Sequence, residues 1–441
     1  MSPARRAEVI DALRRGTVPR AGLDLFAVGM ERFERAIDEE LAGVAAGRAT
    51  FKAVRGDYGA GKTFFARWLA ERAKRRGMAT AEVQISEAET PLHKLETVYR
   101  RLVEQLSTAA YPPSALREVI ESWFYTLEED VLAGKTIAPD DADALTTAVD
   151  ELMEHRLAEV ARTTPVFASA LRGYRRATAA GDQATAQSLL AWLGGQPNVA
   201  AAARRAAGVK GDLDHFAALG FLQGLLTILR DSGHPGLLLV LDETETLQRV
   251  RSDVRDKGLN ALRQLADDVD AGRFPGLYLL ITGTPAFYDG PQGVSRLTPL
   301  AQRLATDFGT DPRFDSPRAV QLRLTGFNLP KLTRLGAVIR DVYVIGLDAS
   351  DSARIEALVD DSFIADLAAA VTGELGGQIG IAPRVFLRKL VADILDRVAE
   401  FDDFDPRKHY KLTVAPTELT DTERNAAAFR PRRADDVELD L

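Results

Sequence analysis

Gly56-Asp57-Tyr58-Gly59-Ala60-Gly61-Lys62-Thr63 is the stretch of this sequence best equipped for chemistry. It has the pattern G-x-x-x-x-G-K-[ST], in which glycines let backbone N–H groups turn inward around phosphate oxygens. A helix starting at the lysine adds the partial positive charge of its N-terminus. Lys62 can then reach the β- and γ-phosphates of a nucleoside triphosphate, and the Thr63 hydroxyl can ligate Mg²⁺. Gly56 through Phe64 are the candidate nucleotide contacts, and ATP and Mg²⁺ are the implied ligands.

A second set of residues is Leu237-Leu238-Leu239-Val240-Leu241-Asp242-Glu243. An unbroken apolar run fits a strand buried on both faces. Such a strand delivers its last side chains to the carboxyl edge of the sheet, where open α/β folds bind ligands. Asp242 is the candidate Mg²⁺ carboxylate. Glu243 is the candidate that orients and polarises the attacking water. Glu245, two residues on, is the less favoured base. The apolar run Gly276 to Ile281 ends in Thr282-Gly283-Thr284, where Thr282, and second Thr284, can sense a γ-phosphate. Phosphoryl transfer builds charge on equatorial oxygens, which makes arginines informative. Arg303 and Arg384 are the first candidates, one from a neighbouring subunit and one from the same chain. Arg296, Arg313 and Arg388 compete with them. Val28-Gly29 and the preceding apolar loop, with Phe26 and Pro19 as alternatives, can pack on an adenine ring.

These residues need a scaffold. Ala4 to Arg15 reads as a helix ended by Gly16, and Glu31 to Ala46 as a second ended by Gly47. Phe51 to Arg55 reads as a strand running into the glycine loop. The helix after the loop ends near Gly77, and Ala81 to Ser86 alternates as a strand. Strand, loop, helix, strand is a βαβ unit and predicts a parallel sheet covered by helices. Pro113 to Asp214 is Ala-rich, holds no convincing strand, and reads as helical. Strands resume at 236–241, 276–281 and 320–324, with a helix over 253–270, and 329–401 reads as helical again. The predicted fold is α/β: a three-layer, parallel-sheet ATPase domain with a large helical insertion and a C-terminal helical lid. The expected divisions are 1–110 and 216–328 for the two parts of the ATPase domain, 111–215 for the insertion, 329–412 for the lid and 413–441 for a tail. The end of that tail, from Arg430, is expected to be mobile.

Composition narrows the alternatives. The chain has 441 residues, 46% hydrophobic and 27% charged, a globular balance that excludes global disorder. With no cysteine it has no disulfide, Cys zinc site, iron–sulfur cluster or Cys nucleophile. Five histidines argue against a His-rich metal site. A formal net charge of −8 argues against a general polyanion binder and leaves room for a local basic face. No long uncharged apolar run suggests a membrane span, and the first residues read as an amphipathic helix and not a signal peptide. A cytoplasmic protein is expected.

The phosphate loop, the acidic strand end with its Glu, the polar strand end and Gly380-Ile381-Ala382-Pro383-Arg384 together resemble the AAA+ ATPases of the origin-recognition type. The runs LRRGTVPRAGLDLFAVG, VRGDYGAGKTFF, ISEAETPLHKLETVYRRLV, LLITGTPAFYDG and GFNLPKL are similar to the BrxD-like ATP-binding P-loop proteins of BREX phage-exclusion systems. That resemblance runs from about Leu13 to Leu412 and is weakest across the insertion and tail. It implies Lys62 and Thr63 as Walker A contacts, Asp242 as the Walker B acid and Glu243 as the catalytic Glu. It implies Thr282 as first sensor, Arg303 as arginine finger and Arg384 as second sensor. Two departures stand out. The Walker motifs are separated by an unusually long helical stretch. The chain after Lys411 is too short for the winged-helix domain that origin-recognition relatives use on DNA, so DNA contact would need another surface.

The leading expectation is a Mg²⁺-dependent, self-associating ATPase working with other phage-defence proteins. The alternatives are a nucleotide switch or scaffold with slow hydrolysis, and a DNA-loading ATPase. The clusters Lys74-Arg75-Arg76, Arg172 to Arg176 and Arg204-Arg205 motivate the last.

Overall fold

The computed structural model describes residues 2–134, 142–374 and 382–414, together with residues 417, 419 and 424. Pro139 within the helical stretch, Gly380 of the late motif and the expected mobile tail end lie outside the described residues. Two helices, α1 (Pro3–Arg14) and α2 (Glu31–Ala45), precede β1 (Thr50–Arg55), α3 (Lys62–Arg75) and β2 (Ala79–Gln84). A run of helices follows: α4 (Leu95–Gln105), α5 (Leu116–Ala133), α6 (Ala142–Arg156), α7 (Ala158–Thr163), α8 (Pro165–Ala179), α9 (Gln183–Leu193), α10 (Ala201–Ala206) and α11 (His215–Asp231). Then come β3 (Leu237–Asp242), α12 (Ser252–Asp270), β4 (Leu277–Gly283), α13 (Pro285–Asp289), α14 (Thr298–Arg303) and β5 (Gln321–Arg323). The chain closes with α15 (Leu329–Val344), α16 (Ala349–Leu358), α17 (Asp361–Glu374), α18 (Ala382–Arg388), a π-helical turn over Lys389–Leu395, α19 (Asp396–Glu400) and α20 (Pro406–His409).

The five strands run in the order β2-β3-β4-β1-β5, and every pair is parallel. This is the α/β class with the parallel sheet and helical cover that the sequence predicts. The second strand begins two residues earlier than its alternation suggests, because Ala79 and Thr80 pair with Leu237 and Leu238. β3 and β4 lie in the middle and are buried along their whole length, which their apolar runs require.

Successive side chains alternate between two cores. Leu237, Leu239 and Leu241 join Leu277, Leu279 and Ile281 in a core completed by α4 to α12. Leu238, Val240, Tyr278 and Leu280 face the other way, into a core made with α1, α2, α3 and α15 to α19. Lys52 also faces that second side. Its ammonium is buried against Glu40 at 2.5 Å and the Ala319 carbonyl at 2.8 Å, and Tyr278 donates to Glu40 at 2.6 Å. Because all strands are parallel, their carboxyl ends share one edge. Register then places Val54 beside Thr282, and Gln84 beside Asp242. The exit of β1 into the glycine loop therefore meets the ends of β3 and β4.

Candidate functional site

The glycine loop leaves β1 at Gly56 and enters α3 at Lys62. Gly59 and Gly61 have φ of +77° and +94°, a region open to glycine and costly for other residues. The Lys62 ammonium donates to the Gly56 carbonyl at 2.9 Å, with the Asp57 carbonyl at 3.4 Å. It also lies 5.1 Å from the centre of the Tyr58 ring. The Tyr58 hydroxyl accepts from Arg249 at 3.2 Å. Ala60 is buried, and the Phe64 ring sits 5.4 Å from that of Phe26.

Opposite the loop, the Thr63 hydroxyl donates to Asp242 at 3.1 Å across 179 residues of chain. Thr282 donates to the other Asp242 oxygen, and the Glu243 N–H reaches the same Asp242 oxygen at 3.1 Å and the Thr282 oxygen at 3.2 Å. This network holds Glu243 at φ +60°, an uncommon conformation for a side chain of its size. The kink starts a 3₁₀ turn over Thr244–Gln248, anchored by Thr244 donating to the Thr282 carbonyl at 2.6 Å. One consequence is that Glu243 stays exposed while Glu245 is folded back and buried. Glu245 stands 3.7 Å from the Lys62 ammonium, and its second oxygen is buried without a hydrogen-bond partner. Burial raises the Glu245 carboxyl above the usual carboxylate range, with Lys62 pulling it back down. Burial, and then the charge of Glu245, pushes the Tyr288 hydroxyl well above its ordinary value.

A cavity of about 300 Å³ lies over the loop. Tyr58, Gly59, Gly61, Lys62, Thr63, Phe64, Asp242, Glu243 and Glu245 line its polar end. Its apolar wall comes from the segment after α1 (Gly16 to Pro19), from Phe26 and Met30, and from Phe327, Leu335, Pro383 and Leu387. Arg384 stands on that wall at the start of α18. Gly16, at φ +69°, turns the chain across the α18 arginines: a Cβ there would lie 3.4 Å from Arg388 and 3.6 Å from Arg384. The size and the mix of an apolar wall with a few convergent polar groups suit a small polar ligand with an aromatic end.

Not every expected residue meets this cavity. Val28 and Gly29 line a separate small cavity with Lys331, so the apolar wall falls to the alternatives Phe26 and Pro19 and to Val18 and Met30. Thr282 is fully buried and spends its hydroxyl on Asp242, and Thr284 caps α13 by accepting from Phe287. Arg303 pairs with Asp267 and Asp270, Arg296 with Asp256, and Arg313 with Asp311, all away from the cavity lining. Several members of the basic clusters are also ion-paired: Arg75 with Asp24, Arg76 with Asp38, Arg172 with Glu154, Arg175 with Asp150, and Arg204 with Asp212. The residues sequence reasoning passed over are Gly16, Met30, Phe327, Leu335 and Leu387, while Thr17 and Val18 belong to the apolar loop it offers to an adenine ring.

The donor set fits the implied groups. Inward glycines and a helix N-terminus suit phosphate. A hydroxyl and a carboxylate side by side are hard oxygen donors, and Mg²⁺ commonly takes one or two protein ligands and keeps phosphate and water for the rest. Among the described residues no cluster of three or more His, Cys, Asp or Glu makes an all-protein cage. The model for the BREX system ATP-binding protein BrxC/D family matches residues 1–414. The chain belongs to that family. It is thus a member of an ATP-binding family of the BREX phage-defence system, and the resemblance noted in its motifs holds along nearly the whole chain. Comparison with curated proteins finds no match. No described helix is long and apolar enough to cross a membrane.

Proposed function

We propose that this chain is a Mg²⁺-dependent ATPase of the AAA+ type that self-associates and works with other BREX proteins. The observation that carries the reading is the contact of Thr63 with Asp242 at 3.1 Å, beside the kinked Glu243. Two motifs far apart in sequence meet there as a pair of metal-type oxygens under a phosphate-type loop. Lys62 and the loop N–H groups bind the phosphates, and Thr63 and Asp242 hold Mg²⁺. Mg²⁺ held by Thr63 and Asp242 would supply positive charge that offsets the charge of a bound triphosphate. Glu243 accepts a proton from the attacking water and aims it. Thr282 keeps Asp242 and the Glu243 backbone in place, a role distinct from touching phosphate. Arg384 reaches the phosphates from the same chain, and Arg303 does so from a neighbouring copy after leaving its Asp267 and Asp270 partners.

The helices of 111–215 offer the docking surface for other defence proteins. A slow nucleotide switch is the second reading, favoured by the sharing of Lys62 between loop carbonyls and Glu245. ATP turnover per chain over a protein dilution series, with and without duplex DNA, tests the proposal. A per-chain rate that climbs with concentration supports sites completed on assembly, and a rise with DNA would bring the DNA-loading alternative forward. A flat, near-zero rate with ATP bound contradicts the ATPase reading in favour of the switch.

A further inference from the structure

We propose that Glu245 is a positioning residue that competes with the terminal phosphate for Lys62 and thereby sets how tightly the site holds ATP; this rests on the ATP-binding reading above. The Glu245 side chain is only 5% exposed and the Lys62 side chain 10%. Beside its own backbone N–H, the charged groups facing the carboxylate are Lys62, Asp242 and Glu243. Two of those three are acids, so Lys62 is the cation that offsets it. Tyr288 is buried nearby, but its hydroxyl donates to the Val54 carbonyl at 3.3 Å and leaves Glu245 unserved. Glu96 and Glu118 also bury one unpartnered carboxylate oxygen, but those residues are half-buried, whereas Glu245 is buried whole, where an unserved carboxylate is costly. The fold goes to some length to create it. Glu243 adopts φ +60° and Thr244 is tied to Thr282, and together they turn Glu245 back into the cavity.

An ammonium has three N–H donors. One is well engaged, at 2.9 Å to Gly56, while the Asp57 carbonyl at 3.4 Å and Glu245 at 3.7 Å are longer and looser. Lys62 is therefore held near the wall, ready to move to a phosphate. A phosphate taking Lys62 strips Glu245 of its only cationic neighbour among the groups facing it and sets two anions close together. The triphosphate, whose outer group Lys62 reaches, meets this opposition more than the diphosphate does. Glu245 weakens ATP binding and narrows the preference for ATP over ADP.

The test is calorimetric binding of the β,γ-imido analogue of ATP, and of ADP, with Mg²⁺ to the full chain and to Glu245→Gln. Glutamine keeps the shape and removes the charge. The expected result is analogue affinity raised about tenfold, with a smaller gain for ADP, so that the ratio of the two constants shifts. A purely structural Glu245 would not change that ratio. Melting curves verify that the variant is folded, and Glu245→Asp, which restores the charge, should return both constants toward wild type. Unchanged or weaker analogue binding by folded Glu245→Gln overturns the inference while leaving the ATP-binding reading intact. Absence of any nucleotide binding by the wild-type chain overturns both.

Discussion

On the sheet face packed by α3, the core is interrupted. Lys52 is buried with Glu40, and a cavity opens over the glycine loop. On the face packed by α4 to α12, the core is continuous from the strands into the long helical run. There the Phe221 ring meets Tyr99, Phe167 and Trp192 edge to face, at centroid distances of 5.7, 5.0 and 5.4 Å. Gly224 allows this closeness, since a Cβ on it would lie 2.3 Å from the Phe167 ring. The difference teaches where each face has its tolerance. One side is built mainly for packing, with buried Arg255 bonded to the Leu247, Gln248 and Val250 carbonyls, and the other accepts the Lys52–Glu40 pair, a left-handed Glu243 and open volume in order to present polar groups at one edge.

Substitutions should separate the two faces. Phe221→Ala, on the packed side, should lose about 3–5 kcal/mol of stability, read by denaturant unfolding. The ATP affinity of the protein that remains folded should not change. If ATP binding fell in step with each residue lost from this face, the two sides would be energetically one. Lys62→Ala, on the open side, should do the reverse. ATP affinity should fall about a hundredfold, the scale of a lost charged hydrogen bond, with the melting temperature held within about 2 °C.

A smaller effect sharpens the contrast through pH. The folded chain holds the Glu245 proton more tightly than the unfolded chain does, because burial raises its pKa. Stability is therefore lost as pH rises from the ordinary carboxylate value, about 4.3, through the raised one. Glu245→Gln escapes that loss. Its melting temperature should match wild type near pH 4 and exceed it by about 2 °C at neutral pH. Equal melting at both pH values would mean that Glu245 carries no burial penalty.

What the sequence made legible followed the range of the interactions involved. GDYGAGKT and LLLVLDE are local patterns whose chemistry needs only a strand, a turn and a helix, and Lys62, Thr63, Asp242 and Glu243 duly converge on one cavity. The parallel sheet was readable from the βαβ unit and the buried runs. The apolar wall was not, because whether Val28 or Val18 faces the cavity depends on how α1 and the Gly16 turn dock against α18, a contact between the two ends of the chain. Thr282 was placed correctly at its strand end, but its partner was not foreseeable, since Asp242 comes beside it only through pairing of β3 with β4. Glu245 was set aside on spacing. Its burial depends on the left-handed turn at Glu243, which neighbouring strands impose.

The most direct test of the account is the Glu243→Gln variant measured for both ATP binding and turnover. The account predicts ATP affinity within about twofold of wild type and turnover reduced about a thousandfold, since only the group that handles the water is lost. Hydrolysis at the wild-type rate by Glu243→Gln would contradict the assignment of Glu243, and with it the proposed division of labour between Glu243 and Glu245.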